Sequence, residues 1–143
     1  FYTGGKDFSS QGPTFAYLNI NRDEFNNIIS THDIQFYFVN NIIDGVYSDG
    51  EIGRDLDLTK VISPSVVDYN LLRTNDAIYS GSGSNNLINL DPKFKNVLKF
   101  DFDLDTLSAA KDKGVVLAPP ITDDYCDRTR DATPDIGAFE SQY

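Results

Sequence analysis

The chain has 143 residues and carries 22 acidic against 12 basic side chains, a formal net charge of −10. That sign argues against nucleic-acid backbones and anionic membranes as partners, and leaves cations, neutral glycans and basic proteins. Cys126 is the only cysteine, so no internal disulfide forms, and no apolar run approaches the ~20 residues that span a bilayer.

The length suits a single domain, 1–143, with its own core. Ten Phe and eight Tyr, with no Met and no Trp, point to β-structure. The chain begins at Phe1 without an initiator Met and reads as the C-terminal portion of a longer protein. Residues 1–14 mix Gly, Ser and Pro around Phe1, Tyr2 and Phe8, and read as a lead-in loop.

Residues 15–116 read as stacked rungs. The segment Asp33 to Gly45 sets the pattern. Ile34, Phe36 and Phe38 fall on one face at period two, and Gln35 and Tyr37 on the other. Asn40-Asn41 then turns the path, because Asn tolerates left-handed backbone and bonds nearby main chain. Ile42-Ile43 resumes it. The tetrapeptide NNII occurs twice, at Asn26 and Asn40, 14 residues apart. Asn85-Asn86-Leu87-Ile88 is a related step, and Asn70-Leu71-Leu72 a weaker one. Recurring Asn-then-aliphatic corners predict coils that bury aliphatics against one another and ladder their Asn side chains. The expected fold is all-β, a right-handed parallel β-helix.

Asp55-Leu56-Asp57 sets two carboxylates on one face of an extended segment, either a solvated face or a place for Ca²⁺. In 97–107, Leu98, Phe100, Phe102 and Leu104 are predicted to face one way, with Lys99, Asp101, Asp103 and Asp105 opposite. Asp101, Asp103 and Asp105 repel one another along that face. They are candidate Ca²⁺ ligands or an acidic edge that resists strand pairing. No cofactor is otherwise required. Residues 117–143 carry Ile136, Phe139 and Tyr143 without periodicity, and read as an irregular cap over a core end.

The C-terminal half carries further motifs. Asp91-Pro92-Lys93-Phe94 resembles a D-P-x-F step. Ser108 to Gly114 resembles S-P-A-I-D-A-G, with Ala109 in place of the usual Pro. Asp124 to Arg130 is similar to D-x-D-G-x-x-R, with Asp127-Arg128 in place of Gly-Asn. Pro134-Asp135-Ile136-Gly137-Ala138-Phe139-Glu140 is close to P-D-I-G-A-[YF]-E. Together, over about residues 65–143, these resemble the C-terminal region of bacterial parallel β-helix proteins of the choice-of-anchor Q type, in the pectate-lyase-like superfamily. The resemblance implies a secreted or surface-attached bacterial protein, often from glycan-degrading or adhesive systems. It implies no defined reaction, since fold and function separate. Asp112, Gly114, Arg130, Asp135, Gly137 and Glu140 are the expected cap residues. Asp112 and Asp135 are placed to accept backbone N–H bonds, and Arg130 and Glu140 to pair.

Catalytic signals are sparse. His32 is the only histidine, so a His-rich metal set would need a partner outside the chain; beside Asp33 it reads as a turn residue, with a catalytic role as the alternative. Cys126 has no His close in sequence. Arg54, Lys60, Arg73, Lys95 and Lys99 are basic groups of the kind a lyase uses, but no spacing selects one. Asp105-Thr106-Leu107 resembles a short bacterial O-glycosylation acceptor. Three functions follow as expectations. The first is a non-catalytic structural or glycan-binding segment outside the cytoplasm, with Tyr37, Tyr47, Tyr69 and Tyr79 as outward platforms for sugars. The second is the C-terminal part of a polysaccharide lyase or glycoside hydrolase. The third is an accessory subunit of an outer-surface complex. Expected partners are polysaccharide, other surface proteins or the upstream part of the same chain.

Overall fold

The computed structural model describes residues 13–46 and 50–142. Their regular elements are short strands and single 3-10 turns, so the protein is all-β. Among these residues no helix is long and apolar enough to cross a membrane.

The organising unit is a corner. β4 (Tyr37–Val39) and β5 (Ile42–Ile43) flank Asn40, whose φ is 59°. β7 (Val66–Asp68) and β8 (Leu71–Leu72) flank Tyr69, whose φ is 54°. One left-handed residue turns the chain between two extended stretches. β4 pairs with β7 in parallel, Tyr37 opposite Val66. β5 pairs with β8 in parallel, Ile42 opposite Leu71. Register partners on both sides of the corner are 29 residues apart, as are Asn41 and Asn70 within it. The corner therefore repeats as one unit. β9 (Leu87–Ile88) adds a third strand, Leu71 opposite Leu87.

Asparagines tie the corners together. Asn70 Oδ1 accepts from the Asn41 backbone N–H at 2.8 Å and from its Nδ2 at 3.1 Å. Asn86 Oδ1 accepts from the same two groups of Asn70, at 3.0 and 3.1 Å. The expected ladder forms, through Asn41, Asn70 and Asn86. The main chain runs alongside it: Leu71 N–H donates to Asn41 O and Leu87 N–H to Asn70 O.

The paired aliphatics of these corners pack on both sides, Ile43, Leu71 and Leu72 buried and Ile42, Leu87 and Ile88 half-buried. In register, Ile43, Leu72 and Ile88 share one face, and Ile42, Leu71 and Leu87 the other. The first face joins a core with Ile52 and Tyr79, against which Phe15, Tyr17, Phe38 and Val67 pack. The second joins a separate core with Leu104, Ala110 and Ile136. Leu71 and Leu72 are both fully buried, each contributing roughly 1.5–3 kcal/mol of transfer free energy. A strand buried on both faces needs consecutive apolar residues, not alternation.

The tail contributes to the second core. Ile136 packs with Leu71, Leu104 and Ala110, so part of the C-terminal stretch lies against the β5–β8–β9 sheet. It is pinned at the corner: Gly137 N–H donates to Asn40 O, Val115 N–H to Asn40 Oδ1, and Asn40 Nδ2 to Val115 O.

Beside β1 (Phe15–Leu18), which pairs in parallel with β6 (Ile52–Asp55), two antiparallel hairpins interrupt the expected run of rungs in 15–116. The first joins β2 (Ile20–Arg22) to β3 (Ile28–Thr31). It contains the first NNII, which is therefore a hairpin turn and not a rung. Asp23 is the cause: its carboxylate accepts from the Asn27 N–H at 2.8 Å and Nδ2 at 2.9 Å. Ile28 and Ile29 are left exposed. The second joins β10 (Phe94–Asn96) to β11 (Asp101–Leu104). Here the alternation expected over 97–107 fails. Asn96 caps a 3-10 turn, Val97–Lys99, and Phe100 is left-handed. Leu98 and Phe100 end at 93% and 75% exposure. Leu104 is buried and Phe102 packs edge-on to Phe94. The sheets have two or three strands each, and none closes on itself.

Candidate functional site

The tail builds a polar hub on the outer core. Asp135 is fully buried. One carboxylate oxygen accepts the Asp112 N–H and the other the Ser141 N–H, both at 2.7 Å. Glu140 accepts the Asp135 N–H at 3.0 Å and lies 3.3 Å from the Arg130 guanidinium. Arg130 also donates to Asp135 O and Gly137 O. Burial pushes the Glu140 carboxyl above its ordinary value, against the pull of the Asp135 N–H and Arg130. Gly114 permits a close backbone approach: a Cβ there would sit 2.7 Å from Pro134 O. Gly137, at φ +113°, faces Ile42. The six expected cap residues thus come together. One role differs: Asp112 sits at φ 54° and contributes its backbone N–H, while Asp135 is the acceptor.

A second charged cluster joins the tail to the β10–β11 hairpin. Arg128 donates to Asp103 at 2.6 Å and to Asp124 at 2.7 Å, and Lys95 reaches Asp103 at 3.2 Å. Asp124 also accepts the backbone N–H groups of Cys126, Arg128 and Glu140. Burial alone would raise Asp124, but these donors outweigh it and hold it below the ordinary value. The Arg128 hydrogen bond holds Asp103 low as well.

This changes the reading of the acidic strand. Asp103 is committed to two cations, Asp101 accepts the Asp103 N–H, and Asp105 accepts the Leu107 N–H. The three carboxylates have separate partners, and among the described residues no group of three or more His, Cys, Asp or Glu is placed to hold a metal. Asp55 pairs with Arg22, and Asp57 caps a 3-10 turn at Leu58–Lys60.

The expected aromatic platforms divide. Tyr37 is 66% exposed and faces outward. Tyr47 lies outside the described residues. Tyr69 is half-buried at its corner. Tyr79 is 3% exposed, its hydroxyl 2.8 Å from that of Tyr17 inside the first core. It is a core residue, not a platform, because the 3-10 turn Ala77–Ser80, capped by Asp76, rotates it inward. Tyr125, absent from the expected set, is 80% exposed and stands edge-on to Phe139. His32 Nε2 lies within hydrogen-bond distance of Asn21 and Ser30, and no acidic side chain among the described residues pairs with it. Cys126 is exposed and free.

A cleft of about 700 Å³ opens between the Val39–Ile42 edge, the β10–β11 hairpin and the tail. Its walls include Ile42, Phe94, Phe102, Leu104, Ile136 and Phe139, with Asn41, Asp124 and Arg130 as polar members. Asp124 and Arg130 are held by the bonds above, and Thr122, Asp123, Tyr125 and Asp131 also line it. Apolar contact and hydrogen bonding are available there for binding. The cleft was not foreseeable from local pattern, because its walls come from segments far apart in sequence. No protein family matches the chain, and no curated protein or solved structure matches it.

Proposed function

We propose that this chain is a non-catalytic segment of a right-handed parallel β-helix, outside the cytoplasm of a bacterium, whose work is structural. Its coils stack, and its tail locks their outer face. The observation that carries this reading is the Asn41–Asn70–Asn86 ladder, running through corners whose strands keep a constant parallel register on both sides. A side-chain amide repeated from corner to corner fits coils that each contact the next. The surface offered to a polysaccharide is the exposed Tyr37 ring, with Tyr125 beside the cleft.

The test has two arms. The purified chain is incubated with uronate-containing and neutral glycans in the presence of Ca²⁺, and products and binding are both measured. The expected result is no new reducing ends and no unsaturated products, with any glycan-induced shift confined to Tyr37 and Tyr125. Polymer cleavage by the purified chain would overturn the proposal in favour of a lyase or glycosidase.

A further inference from the structure

The tip of the β10–β11 hairpin carries apolar side chains into solvent. Leu98 is the most exposed large apolar side chain among the described residues, and Phe100 is exposed as well. The tip is nonetheless well built. Asn96 Oδ1 accepts the Lys99 N–H, and Val97 O accepts the Phe100 N–H. Phe100 sits at φ 59°, a conformation that suits Gly or Asn and is uncommon for a bulky aromatic residue. The fold holds a ring in solvent at a backbone cost, which points to a contact that uses the ring. Lys99 lies between the two apolar residues, and among the described residues its ammonium has no carboxylate partner. Asp101, the next acid along, accepts the Asp103 N–H.

The cleft is the chemical counterpart of this tip. Its walls are apolar, Ile42, Ile121 and Phe139 among them, and Asp123 and Asp131 line it too. Unlike Asp124, these two carboxylates pair with no cation among the described residues. Asp123 Oδ2 accepts the Thr122 hydroxyl, and Asp131 Oδ1 accepts the Thr133 N–H and hydroxyl. An apolar hollow with two carboxylates left unneutralised matches, in polarity and in sign, two apolar side chains that flank an ammonium. The tip does not enter the cleft of its own chain. The hairpin root, Phe94, Phe102 and Leu104, forms one wall, while Leu98 and Phe100 stay outside it and exposed.

We propose that the cleft receives the hairpin tip of a second copy of this chain, with Leu98 and Phe100 against the apolar walls and Lys99 at Asp123 and Asp131. Each copy presents both halves of the contact, so association joins two different surfaces and not one patch to itself. The contact is small and its binding is weak, with a dissociation constant on the order of 10 µM to 1 mM. The charged part lies at the rim, so salt weakens it.

Sedimentation velocity of the full chain, from micromolar to millimolar concentration, tests this. Leu98→Asp removes the tip and Asp123→Lys the cleft. Each variant alone should associate at least about tenfold more weakly than the parent. Their equimolar mixture should form a one-to-one pair, because the intact tip of the second fits the intact cleft of the first. In the parent, amide shifts that grow with concentration should appear together at Leu98–Phe100 and at Ile121–Asp123. Phe100→Asn separates association from folding: it relieves the backbone, so its melting temperature should equal or exceed the parent's while association is lost. A chain that stays monomeric at millimolar concentration would overturn the proposal. So would association indifferent to Leu98→Asp, or association that survives Asp123→Lys, which would place the tip on another surface. A mixture of the two variants that remains monomeric would overturn it as well. A lower melting temperature for Phe100→Asn would make the ring a structural part of the hairpin and remove the argument from the turn.

Discussion

Asn70→Ala is the sharpest perturbation of the ladder. The Asn70 side chain is fully buried. It accepts two hydrogen bonds from Asn41 and donates to Phe38 O, Asp68 O and Asn86 Oδ1. Truncation orphans the Asn41 N–H inside the corner, at about 1–3 kcal/mol, and removes the donors of three acceptors at about 0.5–1.5 kcal/mol each. Some of these acceptors also take strand bonds, so the expected total is about 3–5 kcal/mol. Asn41→Ala is the matched control. It removes only the Nδ2 bonds and leaves the Asn41 N–H on Asn70, so it should cost about 1–1.5 kcal/mol. Urea denaturation followed by far-UV circular dichroism and tyrosine fluorescence measures both. A cost for Asn70→Ala under about 1 kcal/mol, or equal costs at the two positions, would refute the ladder argument.

The hub of the tail predicts an asymmetry. Arg130→Met leaves the Glu140 carboxylate buried without its cation and should cost about 3–5 kcal/mol, whereas Glu140→Gln keeps an acceptor for the Asp135 N–H and should cost near 1 kcal/mol or about that; calorimetric melting of the two variants compares them. Tyr79→Phe should cost about 1 kcal/mol, and combining it with Tyr17→Phe should add little, because the two hydroxyls serve each other in the core. The pH profile has a worked sign. Asp103 and Asp124 sit below their ordinary value of 3.8 in the fold, so their contribution is complete above that value and fades as pH falls through the lowered one. Glu140 sits above its ordinary 4.5, so the fold binds its proton more tightly and stability declines as pH rises through that window. Asp103→Asn should flatten the acid limb and Glu140→Gln the decline above it, as read by denaturation midpoints from pH 2.5 to 7. Millimolar Ca²⁺ should leave the melting temperature of the chain unchanged, since the Asp103 oxygens already hold Arg128 and Lys95; a saturable rise, abolished by Asp101→Asn, would support the metal reading of that strand.

The corners were legible because their chemistry is local. Asn41, Asn70 and Asn86 each precede two aliphatic residues, so the amide ladder and the two-sided packing follow from neighbours in sequence, whereas the left-handed residue is Asn40 at the first corner and Tyr69 at the second. The same four letters at Asn26 mislead, since Asp23 lies four residues before Asn27 and captures its amide first. The alternation after Val97 was equally misleading: it assumes continuous extended backbone, and the Asn96 cap breaks it. What could not be read was the meeting of distant segments. Nothing near Ile136 announces Leu71, and nothing near Asp103 announces Arg128. The contact of the tail with Leu71 could therefore not be read from its own residues. The cleft and the placement of Tyr79 belong to the same class, because both depend on which side of a turn the chain emerges.

Hydrogen-bond scalar couplings between amide nitrogens and carbonyl carbons test the parallel stacking most directly. The account predicts correlations from Leu71 N to the Asn41 carbonyl, Leu87 N to the Asn70 carbonyl and Arg73 N to the Ile43 carbonyl. Correlations of these amides with carbonyls in an antiparallel register, or none at all with rapid solvent exchange, would contradict it.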